Sequence, residues 1–188
     1  WQLRVAAGEA LPARQQDLTI TGHAFEARLY AEDVPAGFLP ATGRLEHLHF
    51  PQGARIDSGV RAGDSISPWY DPMIAKVITH GPNRSVALAR LRAALEGAEI
   101  AGSVTNRDFL AALARHEGFV AGDVDTGLIG RDIEALTLQA PIPDRLIALA
   151  ALATRGDPAA SLAGFALWQP LWQGVALAEG EVAHDCAV

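Results

Sequence analysis

Four short strand-like runs lie between residues 22 and 78, with turn residues between them, and this spacing constrains the fold more than any other feature of the chain. The first run, His23-Ala24-Phe25-Glu26-Ala27-Arg28-Leu29-Tyr30, alternates. His23, Phe25, Ala27 and Leu29 share one face, while Ala24, Glu26, Arg28 and Tyr30 share the other. Glu32-Asp33-Val34-Pro35-Ala36-Gly37 then has the composition of a turn or loop. Further runs follow over residues 44–50 and 55–60, and Arg61-Ala62-Gly63-Asp64 reads as a turn. Residues 72–78 form another strand after the aromatic pair Trp69-Tyr70. Strands spaced this closely predict antiparallel sheets rather than a parallel sheet built from strand–helix units.

The periodicity changes after Gly81-Pro82. Asn83 or Ser85 can cap a helix that carries Leu88, Leu91 and Leu95 on one stripe. A second helix is expected to start near Thr105-Asn106, with Phe109, Leu110 and Leu113 on its apolar side and Gly118 as its stop. Residues 1–10 read as the last turns of a helix running into Leu11-Pro12. Antiparallel sheet packed against two helices is an α+β arrangement. Residues 119–138 read as a connection with a short helix. A third helix, rich in Ala and Leu, is expected over residues 144–154, with Pro143 near its first turn and an end at Gly156-Asp157-Pro158. Trp168, Trp172 and the alternation over residues 175–188 suggest the opening of another strand-containing module. The expected division is one domain over residues 1–131 and a partial second domain over residues 132–188.

Composition excludes several classes of function. Hydrophobic residues make up 49% of the 188 and charged residues 20%, which fits a folded protein and not a disordered one. The net charge of -7 argues against a nucleic-acid partner, because phosphate binding needs clustered Lys and Arg. No apolar run approaches the roughly 18 residues of a membrane-spanning helix. Cys186 is the one cysteine and has no intrachain disulfide partner, so a reducing interior is the easier compartment, and it reads as a small buried residue rather than a nucleophile. The start at Trp1, without a charged start and signal-like core, points to a piece of a longer chain.

Arg28 is the strongest chemical candidate. A guanidinium fixed on a strand offers several donors in a rigid fork that suits an anionic or planar oxyanion group. The alternative, which pattern alone favours, is an ion pair with Glu26 or Glu32. Glu32 and Asp33 are adjacent, so on a strand they point to opposite faces and make poor partners in acid–base catalysis; bracing the loop suits them better. His47 and His49 would share a strand face and could supply two metal ligands, but no third ligand accompanies them. Tyr70-Asp71-Pro72-Met73-Ile74-Ala75-Lys76 joins a turn to an apolar strand. Lys76 is expected to face a partner carboxylate, since a buried unpaired ammonium is costly, and Asp71 and Lys76 read as structural bracing. Neither a P-loop, a dinucleotide fingerprint nor a nucleophilic serine elbow is present.

The run Gly22-His23-Ala24-Phe25-Glu26-Ala27-Arg28-Leu29-Tyr30-Ala31-Glu32-Asp33 resembles the G-H-A-x-E-x-R-x-x-A-E-D segment of biotin carboxylases. In order after it come Phe38-Leu39-Pro40-Ala41-Thr42-Gly43, Arg55-Ile56-Asp57-Ser58-Gly59-Val60, Gly63-Asp64 and Tyr70-Asp71-Pro72-Met73-Ile74-Ala75-Lys76. Thr105-Asn106 with Phe109-Leu110, then Asp125-Thr126-Gly127, complete a series over roughly residues 1–130. The chain is thus similar to the C-terminal domain of biotin carboxylase in biotin-dependent acyl-CoA carboxylase α subunits. The Phe38–Gly43 stretch and Phe50-Pro51-Gln52-Gly53 look closest to the methylcrotonyl-CoA type.

This resemblance implies a reaction in two stages. MgATP (or its manganese counterpart) and bicarbonate give carboxyphosphate, which releases carbon dioxide to carboxylate biotin N1; a carboxyltransferase β subunit then moves the carboxyl group to an acyl-CoA. Arg28 would lie beside the biotin ureido oxygen and bicarbonate, stabilising the enolate that develops as N1 loses its proton. Glu32 and Asp33 would brace the loop after Arg28, while Asp71 and Lys76 would hold the strands near the site. Arg55 falls near a region used by bacterial biotin carboxylase dimers. The family's ATP-grasp body should lie before Trp1 and its biotinylation motif beyond the last residue. The isolated chain is therefore expected to bind no cofactor and to be inactive. The tail resembles a linking domain that docks on the β subunit, so the expected partners are that subunit, the biotinyl carrier domain and the other α-subunit domains. Nucleic acid and membrane are not among them. The expected compartment is the cytoplasm for a bacterial-like protein and the mitochondrial matrix for a eukaryotic one.

Overall fold

The alternation over residues 23–30 becomes strand β1 (His23–Tyr30), preceded by an exposed helix α1 (Gln2–Ala6) and a single 3₁₀ turn, Gln15–Asp17. The computed structural model describes residues 1–138, 141–154, 174–179 and 182–187. These fall into two compact units, Trp1–Leu138 and Gln139–Val188.

In the first unit, β1 leads into β2 (Glu32–Asp33), which pairs antiparallel with β3 (Leu39–Pro40). The expected loop at residues 32–37 is therefore the start of a tight hairpin. Its turn holds Phe38 at a φ of 62°, with the ring set edge-on to Phe109 at 5.5 Å between centroids. The expected strand at residues 44–50 is divided into β4 (Gly43–Arg44) and β5 (His47–His49). The reason is a change of neighbour: the Leu45 N–H donates to the Asp64 carbonyl, whereas the Glu46 N–H donates to the Ala101 carbonyl. Gly102 lies against this switch at a φ of 104°, and a side chain there would collide with the Arg44 carbonyl oxygen.

Three strands then follow, β6 (Arg55–Ser58), β7 (Ser65–Ile66) and β8 (Met73–Gly81). The longest strand, β8, is central: β1 and β6 both pair antiparallel with it, in the order β1-β8-β6. β4 pairs with β7, and β5 with β9 (Glu99–Ala101).

Helix α2 (Arg84–Glu96) starts where Asn83 accepts the Val86 N–H at 2.9 Å, which settles the cap on Asn83 rather than Ser85. Its stripe of Leu88, Leu91 and Leu95 is buried against Ala27 and Val77 of the sheet. Thr79, on the same sheet face, bonds the Ala87 carbonyl at 2.9 Å. A second cluster joins Leu29, Ala31, Leu45, Ile66, Ile74 and Ala75. Helix α3 (Arg107–Arg115) ends at His116, short of the expected stop, and α4 (Glu117–Ala121) follows. Gly118 lies inside α4, and the left-handed stop is Gly122 at a φ of 85°. Helix α5 (Leu128–Leu136) supplies Leu136, which packs with Val34 and Phe109.

In the second unit, α6 (Asp144–Ala153) starts after Pro143, and β10 (Gly174–Glu179) pairs antiparallel with β11 (Val182–Ala187). The alternation seen near the C-terminus is this hairpin. Cys186 is half-buried within it. Trp168, Trp172 and the Gly156-Asp157-Pro158 break lie outside the described residues.

Candidate functional site

The open face of the β1-β8-β6 sheet carries two cross-strand rows, one wholly charged and one with charges on either side of an isoleucine. One row is Arg28–Lys76–Asp57, and the next is Glu26–Ile78–Arg55. Directly opposed residues on neighbouring strands sit roughly 4.5–5.5 Å apart, close enough for their charges to act on one another. Arg28 is exposed, and its Nε contacts Glu26 Oε1 at 3.4 Å. Tyr30 and then Glu26 hold its proton more firmly than usual. The bland pairing that pattern favoured is thus present, but in the Glu26 form. It engages an exposed carboxylate that a ligand oxygen can replace at small cost.

Lys76 stands between Arg28 and Asp57. The carboxylate expected opposite it is Asp57 of β6. Asp57 is drawn below the usual carboxylate range, first by its hydrogen bond from Arg55 and in smaller part by the Lys76 charge. The Arg55–Asp57 pair itself closes at 2.7 Å. Two cations therefore lie side by side at Arg28 and Lys76, with the balancing carboxylates displaced to either flank.

Backbone contacts fix the end of β1 that carries Arg28. The register with β8 shifts between Leu29 and Tyr30, because β8 carries an extra residue, Ile74, at that point. Beyond it, the Ala31 N–H donates to the Pro72 carbonyl at 2.9 Å. On the opposite edge, where β1 has no strand neighbour among the described residues, Asn106 contacts the backbone three times. Its Oδ1 accepts the Tyr30 N–H at 2.9 Å, its Nδ2 donates to the Arg28 carbonyl at 3.2 Å, and its own N–H donates to the Tyr30 carbonyl at 3.1 Å. A cleft of about 280 Å³ opens along this edge, lined by Arg28, Tyr30, Glu32 and Asn106 on the polar side and by Leu110 and Phe119 on the apolar side.

Glu32 is half-buried, and burial, followed by the nearby Asp71 charge, pushes its carboxyl above the ordinary glutamate value. Asp33 braces the following turn by accepting the Ala36 N–H at 3.2 Å, and Asp71 does the same for Met73 at 2.9 Å. Arg28, Glu32 and Lys76 thus gather around the bulge, while Asp33 and Asp71 shape turns beside it. His47 bonds Glu99 at 2.9 Å. No group of three or more His, Cys, Asp or Glu side chains able to hold a metal ion occurs among the described residues.

Sequence reasoning missed two contributors. Asp57 appeared only as part of a motif, because its relation to Lys76 depends on a strand pairing. Asn106 had the position of a helix cap, yet its side chain makes no cap bond to α3. An asparagine before a helix that does not cap it is visible only in three dimensions.

Comparison with known proteins places these features in a family. The family described as "Biotin carboxylase C-terminal domain" matches residues 26–131. The chain is 49% identical over 142 residues to the mitochondrial methylcrotonoyl-CoA carboxylase subunit alpha of Glycine max, an alignment covering 74% of this chain and 19% of that protein. It is 44% identical over 125 residues to the biotin carboxylase of Pseudomonas aeruginosa, covering 65% of this chain and 28% of that protein. Among solved structures, the biotin carboxylase domain of Hydrogenobacter thermophilus 2-oxoglutarate carboxylase, in complex with MgADP, ADP and bicarbonate, superposes with a TM-score of 0.72 at 34% identity. That match covers 74% of this chain and 31% of that one. The chain therefore spans less than a third of each of these relatives. No described helix is long and apolar enough to cross a membrane.

Proposed function

The chain belongs to the biotin carboxylase C-terminal domain family, and on that premise we propose that it forms part of a subunit that carboxylates biotin N1 using ATP and bicarbonate. Residues 1–131 would be the C-terminal domain of biotin carboxylase, and residues 132–188 the start of a domain linking it to the biotinyl domain. The observation that carries this reading is Arg28, exposed on an open sheet face beside Tyr30 and the Lys76 cation.

Biotin, when bound, supplies N1 as the carboxyl acceptor, with negative charge moving onto its ureido oxygen as N1 is deprotonated. The donors of Arg28 fit that oxygen. They are fixed on a strand whose end is bonded on both edges, so little reorganisation accompanies the developing charge. Lys76 adds positive potential from the next strand, and Glu26 keeps the Arg28 fork oriented until the ligand oxygen arrives. Glu32, Asp33 and Asp71 hold the loop and turn that frame the bulge.

The whole protein would require biotin, ATP and magnesium or manganese. It would work with a biotinyl carrier domain, a carboxyltransferase β subunit and the remaining α-subunit domains. Its acceptor would be 3-methylcrotonyl-CoA, in line with the methylcrotonoyl-CoA carboxylase relatives; propionyl-CoA or another acyl-CoA is the alternative within the family. Its compartment would be the mitochondrial matrix in a eukaryote and the cytoplasm in a bacterium. The isolated chain would not carboxylate biotin.

In the intact subunit, Arg28→Ala is expected to lower ATP-dependent biotin carboxylation by about 10²–10³-fold, the scale seen when one charge-stabilising donor is removed. ATP binding should change little. The 3.4 Å contact with Glu26 supports a second reading, in which Arg28 is structural and the chain serves mainly in subunit contacts. Unchanged turnover in Arg28→Ala would favour that second reading. Steady-state comparison of methylcrotonyl-CoA with propionyl-CoA, in the presence of the β subunit, decides the acceptor.

A further inference from the structure

Asn106 is 5% exposed and lies 78 residues from Arg28 in sequence, yet its side chain is committed to the backbone that carries the guanidinium. The carboxamide supplies both an acceptor, for the Tyr30 N–H at 2.9 Å, and a donor, to the Arg28 carbonyl at 3.2 Å. With the Asn106 N–H bonding the Tyr30 carbonyl at 3.1 Å, one residue bonds one step of β1 on the edge that has no strand neighbour among the described residues. The location is selective: the bonds fall on either side of Leu29, where the register with β8 shifts. The extra residue there is Ile74 of β8; such a bulge raises the local twist where β1 passes it, and the direction of the Arg28 side chain follows that twist. The commitment also has a local cost, because Asn106 makes no cap bond to α3 although Asn is among the best capping residues.

We infer that Asn106 is a positioning residue for Arg28, setting the aim of the guanidinium by clamping the free edge of β1 across the bulge. This rests on the reading that Arg28 meets the biotin oxygen. Asn106 itself touches no reacting atom. Its influence lies in geometry, since displacing a catalytic group by about 1 Å can lower a rate about 100-fold.

The test is a double-mutant cycle in the intact subunit, with turnover measured for ATP-dependent carboxylation of biotin and the KM for ATP measured alongside. Asn106→Ala removes both side-chain bonds. Asn106→Asp keeps the acceptor for Tyr30 but sets a carboxylate oxygen against the Arg28 carbonyl, and it serves where the alanine variant does not fold. Either variant is expected to lower kcat by about 10–100-fold with the KM for ATP within about twofold of the parent. In an Arg28→Ala background the same substitution should lower kcat by less than about threefold, because nothing remains to be aimed. Three results would overturn the inference. An equal fall in both backgrounds would mean general damage, and an unchanged kcat in the parent background would mean that the clamp does not aim Arg28. If Arg28→Ala alone left turnover unchanged, the reading of Arg28 would fail and the positioning role with it.

Discussion

The two faces of the β1-β8-β6 sheet use the same strands for opposite purposes. On one face Ala27, Leu29, Ala75 and Val77 are almost wholly buried. Ala27 and Val77 pack on α2, Leu29 and Ala75 join the second apolar cluster, and burial of apolar area there drives folding. On the other face Glu26, Arg28, Arg55 and Asp57 are held by exposed ion pairs of 2.7–3.4 Å. Pairs of this kind contribute little to stability because water already solvates them. The comparison teaches that strand alternation can separate a packed face from a charged one at single-residue resolution: Arg28 and Leu29 are neighbours in sequence, yet one is exposed in an ion pair and the other is buried.

The separation can be broken most forcefully from the apolar side. Leu95→Ala removes a side chain that is 1% exposed in the α2 stripe, and should destabilise by about 2–5 kcal/mol in chemical denaturation, the usual range for a buried leucine. A loss well under 1 kcal/mol would mean that α2 does not anchor the sheet. On the charged face Arg55→Ala deletes the 2.7 Å pair with Asp57, yet the melting midpoint is expected to stay where it is. A clear drop would show that the open face also contributes to folding.

A pH-dependent effect is expected beyond the end of β1, at Glu32 of β2. Its carboxyl is raised by burial and then by Asp71, so the folded state binds the proton more tightly than the unfolded one. That contribution to stability is fully present below the ordinary value of 4.5 and is lost as pH rises through the higher folded value. Glu32→Gln should therefore gain in melting temperature relative to the parent as pH climbs from 4 toward neutrality. A difference independent of pH would contradict the burial of this carboxyl.

Much of this arrangement was legible in local pattern. The period-two alternation of β1 gave the correct faces, because one face is buried and the register is tightly constrained. The leucine stripe and the Asn83 or Ser85 cap marked α2, and the ordered motifs pointed to the family. Relations between distant segments were not legible. The partner across from Lys76 depends on β6 pairing with β8, and β9 is too short to announce itself beside α2. The division of residues 44–50 reflects a change of hydrogen-bonding neighbour, which leaves no mark on composition. Gly118 failed as a helix stop because α3 and α4 are joined at His116, and the left-handed position fell to Gly122 instead. Asn106 is the sharpest case, since its local position suggests a cap and its contacts lie with β1.

The most direct test of the two-face account compares Arg28→Ala with Leu29→Ala in the intact subunit, reading biotin-carboxylation turnover and melting temperature for both. The account predicts that Arg28→Ala loses about 10²–10³-fold in kcat with its melting temperature unchanged. Leu29→Ala should melt several degrees lower while keeping most of its turnover at temperatures where it remains folded. If Arg28→Ala instead melts as early as Leu29→Ala, or turns over like the parent, the open face is not where the chemistry takes place.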